Sequence, residues 1–198
     1  MNDQDEVTGV VLAGGLARRM NKQDKGLVEY HNKAMVSYAV DAMKQVATSV
    51  LINANRNISA YQRYGCEVIS DQTDSFDGPL AGVLSAISHA NTELLCVMPC
   101  DSPLIKAEHL KKLLTDLADK NADIAVAFDG ERMHPVFLAL KTSLQNSLQQ
   151  YLQQGDRKID LWLQQHHLIK VDFSQCPEVF LNINTLSELE ALEQSQDD

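Results

Sequence analysis

The segment from Val10 to Leu27 constrains this chain more than any other. Val10-Val11-Leu12-Ala13 reads as a buried strand and Gly14-Gly15 as a turn. Arg18, Arg19, Lys22 and Lys25 then place four cations within eight residues. The whole chain has a net charge of -10, so the local charge opposes the global one. Glycines let backbone N–H groups approach phosphate oxygens with no Cβ in the way, and the cations offset a polyanion that an acidic protein otherwise repels. The segment therefore reads as a phosphate cradle. It is neither of the common ones, because the adjacent Gly14 and Gly15 fit neither the Walker spacing nor Gly-x-Gly-x-x-Gly. A Gly-Gly pair by itself favours the plainer reading of a strand ending in a turn, followed by solvated charges.

Downstream, short β-branched runs alternate with amphipathic stretches, the order expected of a doubly wound α/β domain with a mostly parallel sheet covered on both faces. The pattern predicts strands at Gly9 to Leu12, Val50 to Asn53, Glu67 to Ser70, Leu94 to Met98 and Asp123 to Phe128. Apolar spacing near three and four predicts helices at Met35 to Val46, Leu80 to Ala90 and Ala107 to Leu117. Later, Pro135 to Leu140 reads as a strand and Lys141 to Gln154 as a glutamine-rich helix ended by Gly155. Val179 to Ile183 reads as a strand before a C-terminal helix. Some antiparallel pairing is expected in this C-terminal third. No Pro-, Gly- or Ser-rich linker divides the 198 residues, and a 44% hydrophobic composition suffices for one core. Residues 1–198 thus read as a single domain, with 1–6 and 194–198 as frayed tails.

Twenty-seven acidic against seventeen basic side chains argue against nucleic acid or an anionic membrane as partner, since both require a broad basic field. The acidic start, Met1-Asn2-Asp3-Gln4-Asp5-Glu6, lacks the cationic and apolar regions of a secretion signal, and no apolar run reaches bilayer-spanning length. A cytoplasmic location is the expectation. Cys66, Cys96, Cys100 and Cys176 form no C-x-x-C pair, so reduced structural thiols are expected, with Cys100 packing beside Asp101. Of the six histidines, His134 stands apart by preceding Pro135-Val136-Phe137, and a structural or substrate-positioning duty is expected of it.

Ligands of open α/β sheets collect beyond the carboxyl ends of the strands. Four such places carry chemistry. Besides Gly14-Gly15 they are Asn53, whose amide can serve a base or simply a turn; Asp71, a binding carboxylate or a cap; and Asp101, in Cys100-Asp101-Ser102-Pro103. A carboxylate at a rigid strand end suits Mg²⁺, which takes one or two carboxylates beside water and phosphate oxygens. Position alone leaves that reading level with Asp101 capping a helix that begins near Lys106.

The run Leu12-Ala13-Gly14-Gly15, then Arg19-Met20, then Asp24-Lys25-Gly26-Leu27, resembles the signature loop of nucleotidyltransferases, above all the molybdenum cofactor guanylyltransferases. The similarity continues in order through Asn53, Asp71, Gly78 to Gly82, Cys100 to Pro103, His134 to Phe137, Gly155 to Lys158 and Asn182 to Thr185. Asn21-Lys22 and Leu186 depart from the family's usual Gly-Gly and Pro. The resemblance implies a Rossmann-like nucleotidyltransferase fold in which Leu12, Ala13, Gly14, Gly15, Lys25, Asn53, Asp71, Gly78, Gly82 and Asp101 bind GTP. It further implies a catalytic set of Arg19, Lys25 and Asp101, with Asp101 as the Mg²⁺ ligand. Arg157, Lys158, Asn182 and Asn184 would face the pterin phosphate.

The implied reaction is attack by the terminal phosphate of molybdopterin on the α-phosphorus of GTP, releasing pyrophosphate and forming a guanine dinucleotide cofactor. Molybdenum insertion proteins, and molybdoenzymes or their chaperones, are the implied partners. The alternatives are a cytidylyltransferase acting on the same pterin, a sugar-phosphate nucleotidyltransferase, and a noncatalytic GTP sensor of the same fold. Ala13-Gly14-Gly15 differs from the Leu-Ala-Ala-Gly more frequent in cytidylyl relatives, and retention of Arg19, Lys25 and Asp101 together disfavours a sensor.

Overall fold

The computed structural model describes residues 6–14, 24–72, 78–183, 188, 189 and 192. Its elements run β1 (Val7–Leu12), β2 (Glu29–Tyr30), β3 (Lys33–Ala34), α1 (Met35–Met43), β4 (Ser49–Asn53), α2 (Ile58–Gln62), β5 (Glu67–Ile69) and α3 (Pro79–His89). Then come β6 (Leu94–Pro99), α4 (Ala107–Asp119), β7 (Ile124–Phe128), β8 (Met133–Lys141), α5 (Gln145–Gln153), α6 (Ile159–Leu163) and β9 (Leu168–Asp172). Seven strands form one sheet in the order β5-β4-β1-β6-β8-β7-β9. β1 is parallel to β4 and β6, β4 to β5, and β7 to β9, whereas β8 runs antiparallel to both β6 and β7. The expected α/β class, with antiparallel pairing in the C-terminal third, is thus observed.

The strands read as continuous apolar runs because the sheet is covered on both sides, and successive side chains point to opposite faces. Val10, Leu51, Leu95, Val97 and Leu138 bury against α3, α5 and α6, where Leu80, Leu148 and Trp162 receive them. Their neighbours Val11, Ile52, Cys96, Met98 and Phe137 face α1 and α4, meeting Val36, Ala39, Leu110 and Leu113. The sheet has β1 flanked by β4 and β6, with β6 the central strand of the seven. Its carboxyl end opens where the connections leave in two directions.

The expected elements through β8 are present, with boundaries shifted by a few residues. Three features differ from expectation. Val179 to Ile183 is not a strand; Pro177–Phe180 forms a 3-10 turn. Pro177 has no N–H to give a ladder, and Phe180 instead stacks on His134 at 4.4 Å between ring centres and meets Phe137 and Phe173 edge-on at 5.1 and 5.3 Å. An apolar run that buries by ring packing needs no strand partner. The glutamine-rich helix begins only at Gln145, because Thr142 N and Oγ1 are tied to Glu93 O and Thr92 O in a preceding 3-10 turn. Gly155 ends it at φ 92, as a left-handed terminator should. Finally, β9, the short helices α2 and α6, and the β2–β3 hairpin are additions. The hairpin turns through His31 and Asn32, both at positive φ (47 and 59), the conformation a two-residue turn requires.

Candidate active site

The ends of β1, β4 and β6 and the residues beyond β5 surround one cavity of about 280 Å³. Leu12, Ala13 and Gly14 form its floor after β1. Asn53 closes β4, Asp71 lies beyond β5, Gly78 and Pro79 open α3, and Pro99, Cys100 and Asp101 come from β6; Asp24, Lys25 and Val136 complete the lining. Hydrogen bonds stitch the strand ends after the ladders stop: Ala13 N donates to Asn53 O at 2.8 Å and Cys100 N to Leu12 O at 3.0 Å. These backbone groups at the cavity wall are thus satisfied.

At one end of the cavity, Asn53 Nδ2 donates to Asp71 Oδ1 at 2.9 Å and Asn55 Nδ2 to Asp71 Oδ2 at 2.7 Å. Asp71 N returns a bond to Asn55 Oδ1 at 2.9 Å. Each carboxylate oxygen accepts two bonds, so Asp71 keeps acceptor capacity beyond these amides. Asn53 is buried against glycine: a Cβ on Gly82 would lie 2.4 Å from Asn53 Oδ1, and one on Gly14 would lie 3.3 Å from it and 3.1 Å from Asn55 Nδ2. Gly82→Ala is therefore expected to push the Asn53 amide off Asp71. If Asn53 reads the nucleotide, GTP affinity should fall by about tenfold, the loss of one hydrogen bond to a charged group, as measured by calorimetry.

At the other end, Lys25 Nζ stands 3.2 Å from Asp101 Oδ2, with their side chains 23% and 13% exposed. Asp101 does not cap α4. That helix is capped by Lys106 and His109, whose Nδ1 accepts Lys106 N at 3.0 Å. The Asp101 carbonyl accepts Ile183 N at 3.0 Å, and Ser102 Oγ donates to Asn182 Oδ1 at 2.5 Å. Asn182 is thereby held beside Asp101. Arg157 and Lys158 lie between α5 and α6 and do not line the cavity; Arg157 Nη1 donates to Leu152 O and Asp156 O, and Lys158 O accepts the Tyr151 hydroxyl. Gly15, Arg19 and Asn184 lie outside the described residues.

Cys100 is buried, as expected of a packing thiol, and burial, with the Asp101 and Asp24 charges beside it, pushes its pKa well up. His134 Nε2 sits 2.6 Å from Asp129 Oδ2. The Arg132 and Glu131 backbone N–H groups, then His134, hold the Asp129 carboxyl well below the usual carboxylate range. His134 is thus engaged in bonding Asp129 and stacking on Phe180, while Val136, two residues on, faces the cavity.

Sequence reasoning does not single out Asn55, Asn57, Arg56 or Tyr61, and Asp24 enters it only within the Asp-Lys-Gly-Leu run. Yet Asp24 is 7% exposed and accepts the Tyr61 hydroxyl and Asn57 Nδ2, the latter at 3.0 Å, with Arg56 Nε at 3.6 Å. The available signal is a carboxylate placed amid cations. Its partners come after β4 and are not recognisable without the fold.

The donor set can be tested against a metal. No group of three or more His, Cys, Asp or Glu side chains able to hold an ion occurs among the described residues. Asp101 contributes one hard oxygen donor at the cavity wall, and its neighbour Cys100 is a neutral thiol. That set suits a cation drawing most of its ligands from phosphate and water, as Mg²⁺ does.

Residues 9–170 match the MobA-like NTP transferase domain. The chain belongs to this family. It is 43% identical over 189 residues to the molybdenum cofactor guanylyltransferase of Shewanella piezotolerans, covering 96% of this chain and 93% of that protein. The Shewanella pealeana protein of the same name is 44% identical over 180 residues, covering 91% and 90%. In fold, the chain superposes on molybdopterin-guanine dinucleotide biosynthesis protein A of Archaeoglobus fulgidus with a TM-score of 0.80 at 22% identity, over 96% of this chain and 98% of that one. No helix among the described residues is long and apolar enough to cross a membrane.

Proposed function

We propose that this chain transfers GMP from GTP to the terminal phosphate of molybdopterin, releasing pyrophosphate and forming the guanine dinucleotide cofactor. The observation that carries the reading is one cavity whose lining includes both an amide-braced carboxylate, Asp71, and the Lys25–Asp101 pair. Guanine presents a ring N–H and an exocyclic amine as adjacent donors, and the remaining acceptor capacity of Asp71 matches them. Membership of the family of molybdenum cofactor guanylyltransferases supports both the base and the acceptor.

The attacking group is already an anionic phosphate, so no strong general base is needed. The difficulty lies in bringing two anions together and stabilising charge that grows on the departing pyrophosphate. Lys25 would supply a cation for that charge, and Arg19 with the Gly14-Gly15 backbone would extend the cradle. Asp101 would hold Mg²⁺, which when bound supplies further charge neutralisation at the phosphates. Asn182, fixed beside Asp101 by Ser102, would meet the pterin phosphate. A cytoplasmic enzyme delivering its product to molybdenum insertion proteins, molybdoenzymes or their chaperones fits this chemistry.

Pyrophosphate release in Mg²⁺, with GTP, CTP, ATP or UTP supplied separately, with and without molybdopterin, tests the proposal. Release with GTP only, and only with pterin, is the expected result. Preference for CTP would overturn the base assignment, and GTP binding without release would indicate a sensor.

A further inference from the structure

We infer that Asp24 is a positioning residue, anchored by the segment leading into α2, that holds Lys25 in place beside Asp101. The inference rests on the proposed role of Lys25 toward the nucleotide phosphates. The Asp24 side chain is only 4% exposed, and a buried carboxylate is costly unless its charge and lone pairs are met. Three groups meet it: the Tyr61 hydroxyl on Oδ1, and Asn57 Nδ2 at 3.0 Å and Arg56 Nε at 3.6 Å, both on Oδ2. All three come from residues 56–61, which lie after β4. Burial, reinforced by Cys100 and Asp24 nearby, pushes the Tyr61 hydroxyl far above its ordinary pKa, so it stays a donor at every working pH.

The local backbone gives the carboxylate no other purpose. Asp24 stands at the N-cap of the 3-10 turn Lys25–Leu27, the position where an Asp ordinarily bonds the turn's own N–H groups, yet its side chain makes no such bond. It reaches to the α2 segment instead. On the other side of Lys25, Gly26 packs so closely that a Cβ there would lie 2.6 Å from the Tyr61 hydroxyl and 3.1 Å from Cys100 Sγ. Lys25 thus lies between two fixed neighbours, one bonded to Tyr61 and the other wedged under it. The side chain of Lys25 extends from this clamp to Asp101 at 3.2 Å. Displacement of a charged group by about 1 Å can cost on the order of 100-fold in rate, which is why the clamp matters to chemistry and not only to folding.

A double-mutant cycle tests this. Asp24→Asn is expected to lower kcat/KM by between about 10- and 100-fold in the otherwise native chain. In a Lys25→Ala background the same change should cost less than about threefold, because the group it positions is gone. Losses that multiply equally in both backgrounds, or full activity of Asp24→Asn, would overturn the inference. Tyr61→Phe provides a second arm if Asp24→Asn does not fold: it keeps the ring and two of the three donors, and should cost about tenfold with the same dependence on Lys25. The cycle is repeated on GTP affinity by calorimetry without pterin. Absence of turnover in the native chain would refute guanylyl transfer, while in GTP binding coupling between Asp24 and Lys25 would still support the positioning by Asp24 and additive losses would overturn it.

Discussion

Asp101→Asn is expected to lower turnover on the order of a thousandfold while leaving the fold intact, because it removes the negative charge and one acceptor oxygen but keeps the size and backbone of the residue. The Asp101 carbonyl would still accept Ile183 N, so the tether of the C-terminal segment survives the substitution. Calorimetry of GTP binding provides a readout besides activity. In metal-free buffer the variant should bind GTP at least as tightly as the native chain, since a carboxylate facing a triphosphate repels it. Adding Mg²⁺ should strengthen binding to the native chain and leave the variant unchanged. Intact turnover together with an equal Mg²⁺ gain would leave Asp101 with its structural bond alone.

Lys25→Ala should lower turnover on the order of 100-fold, the cost of losing one preorganised electrostatic donor to the leaving group. Stability should change little: a pair with both partners partly exposed to water contributes roughly 0–1 kcal/mol. A fall in pyrophosphate release with a nearly unchanged thermal midpoint would therefore identify a chemical role. Turnover within a factor of about three of the native chain would remove Lys25 from the catalytic set. Lys25→Arg should recover only part of the loss, because a planar guanidinium on a longer stem does not replace a compact ammonium closely confined beside Asp101.

Much of the sheet is legible in the sequence because its strands are buried on both faces and stand out as continuous apolar runs between turn signals. The strand Leu168–Asp172 is not, since its exposed Lys170 and Asp172 break the apolar run; it lies at the edge of the sheet, paired with β7 alone. Val179 and Phe180 mislead in the opposite direction, as apolar residues whose burial comes from aromatic packing rather than pairing. In the site, Lys25 belongs to the glycine-cation segment, and Asn53, Asp71 and Asp101 stand at or just beyond strand ends; all four line the cavity. Arg157 and Lys158 lie away from that lining. Tyr61 carries no sequence signal, because its function depends on a carboxylate 37 positions earlier in the chain.

The sequence alone determined the alternation of strands and helices, the glycine-cation cradle and the family, all of which are local patterns readable within one segment or in a fixed order of segments. Tertiary structure decided the rest. The ion pair of Lys25 with Asp101, 76 positions apart, and the bond of Asn53 to Asp71, 18 apart, exist because β1 pairs with β6 and β4 with β5, all parallel, so that the residues beyond their carboxyl ends converge. Backbone periodicity is a property of neighbouring residues, whereas the convergence of strand ends depends on sheet order, which no local pattern encodes.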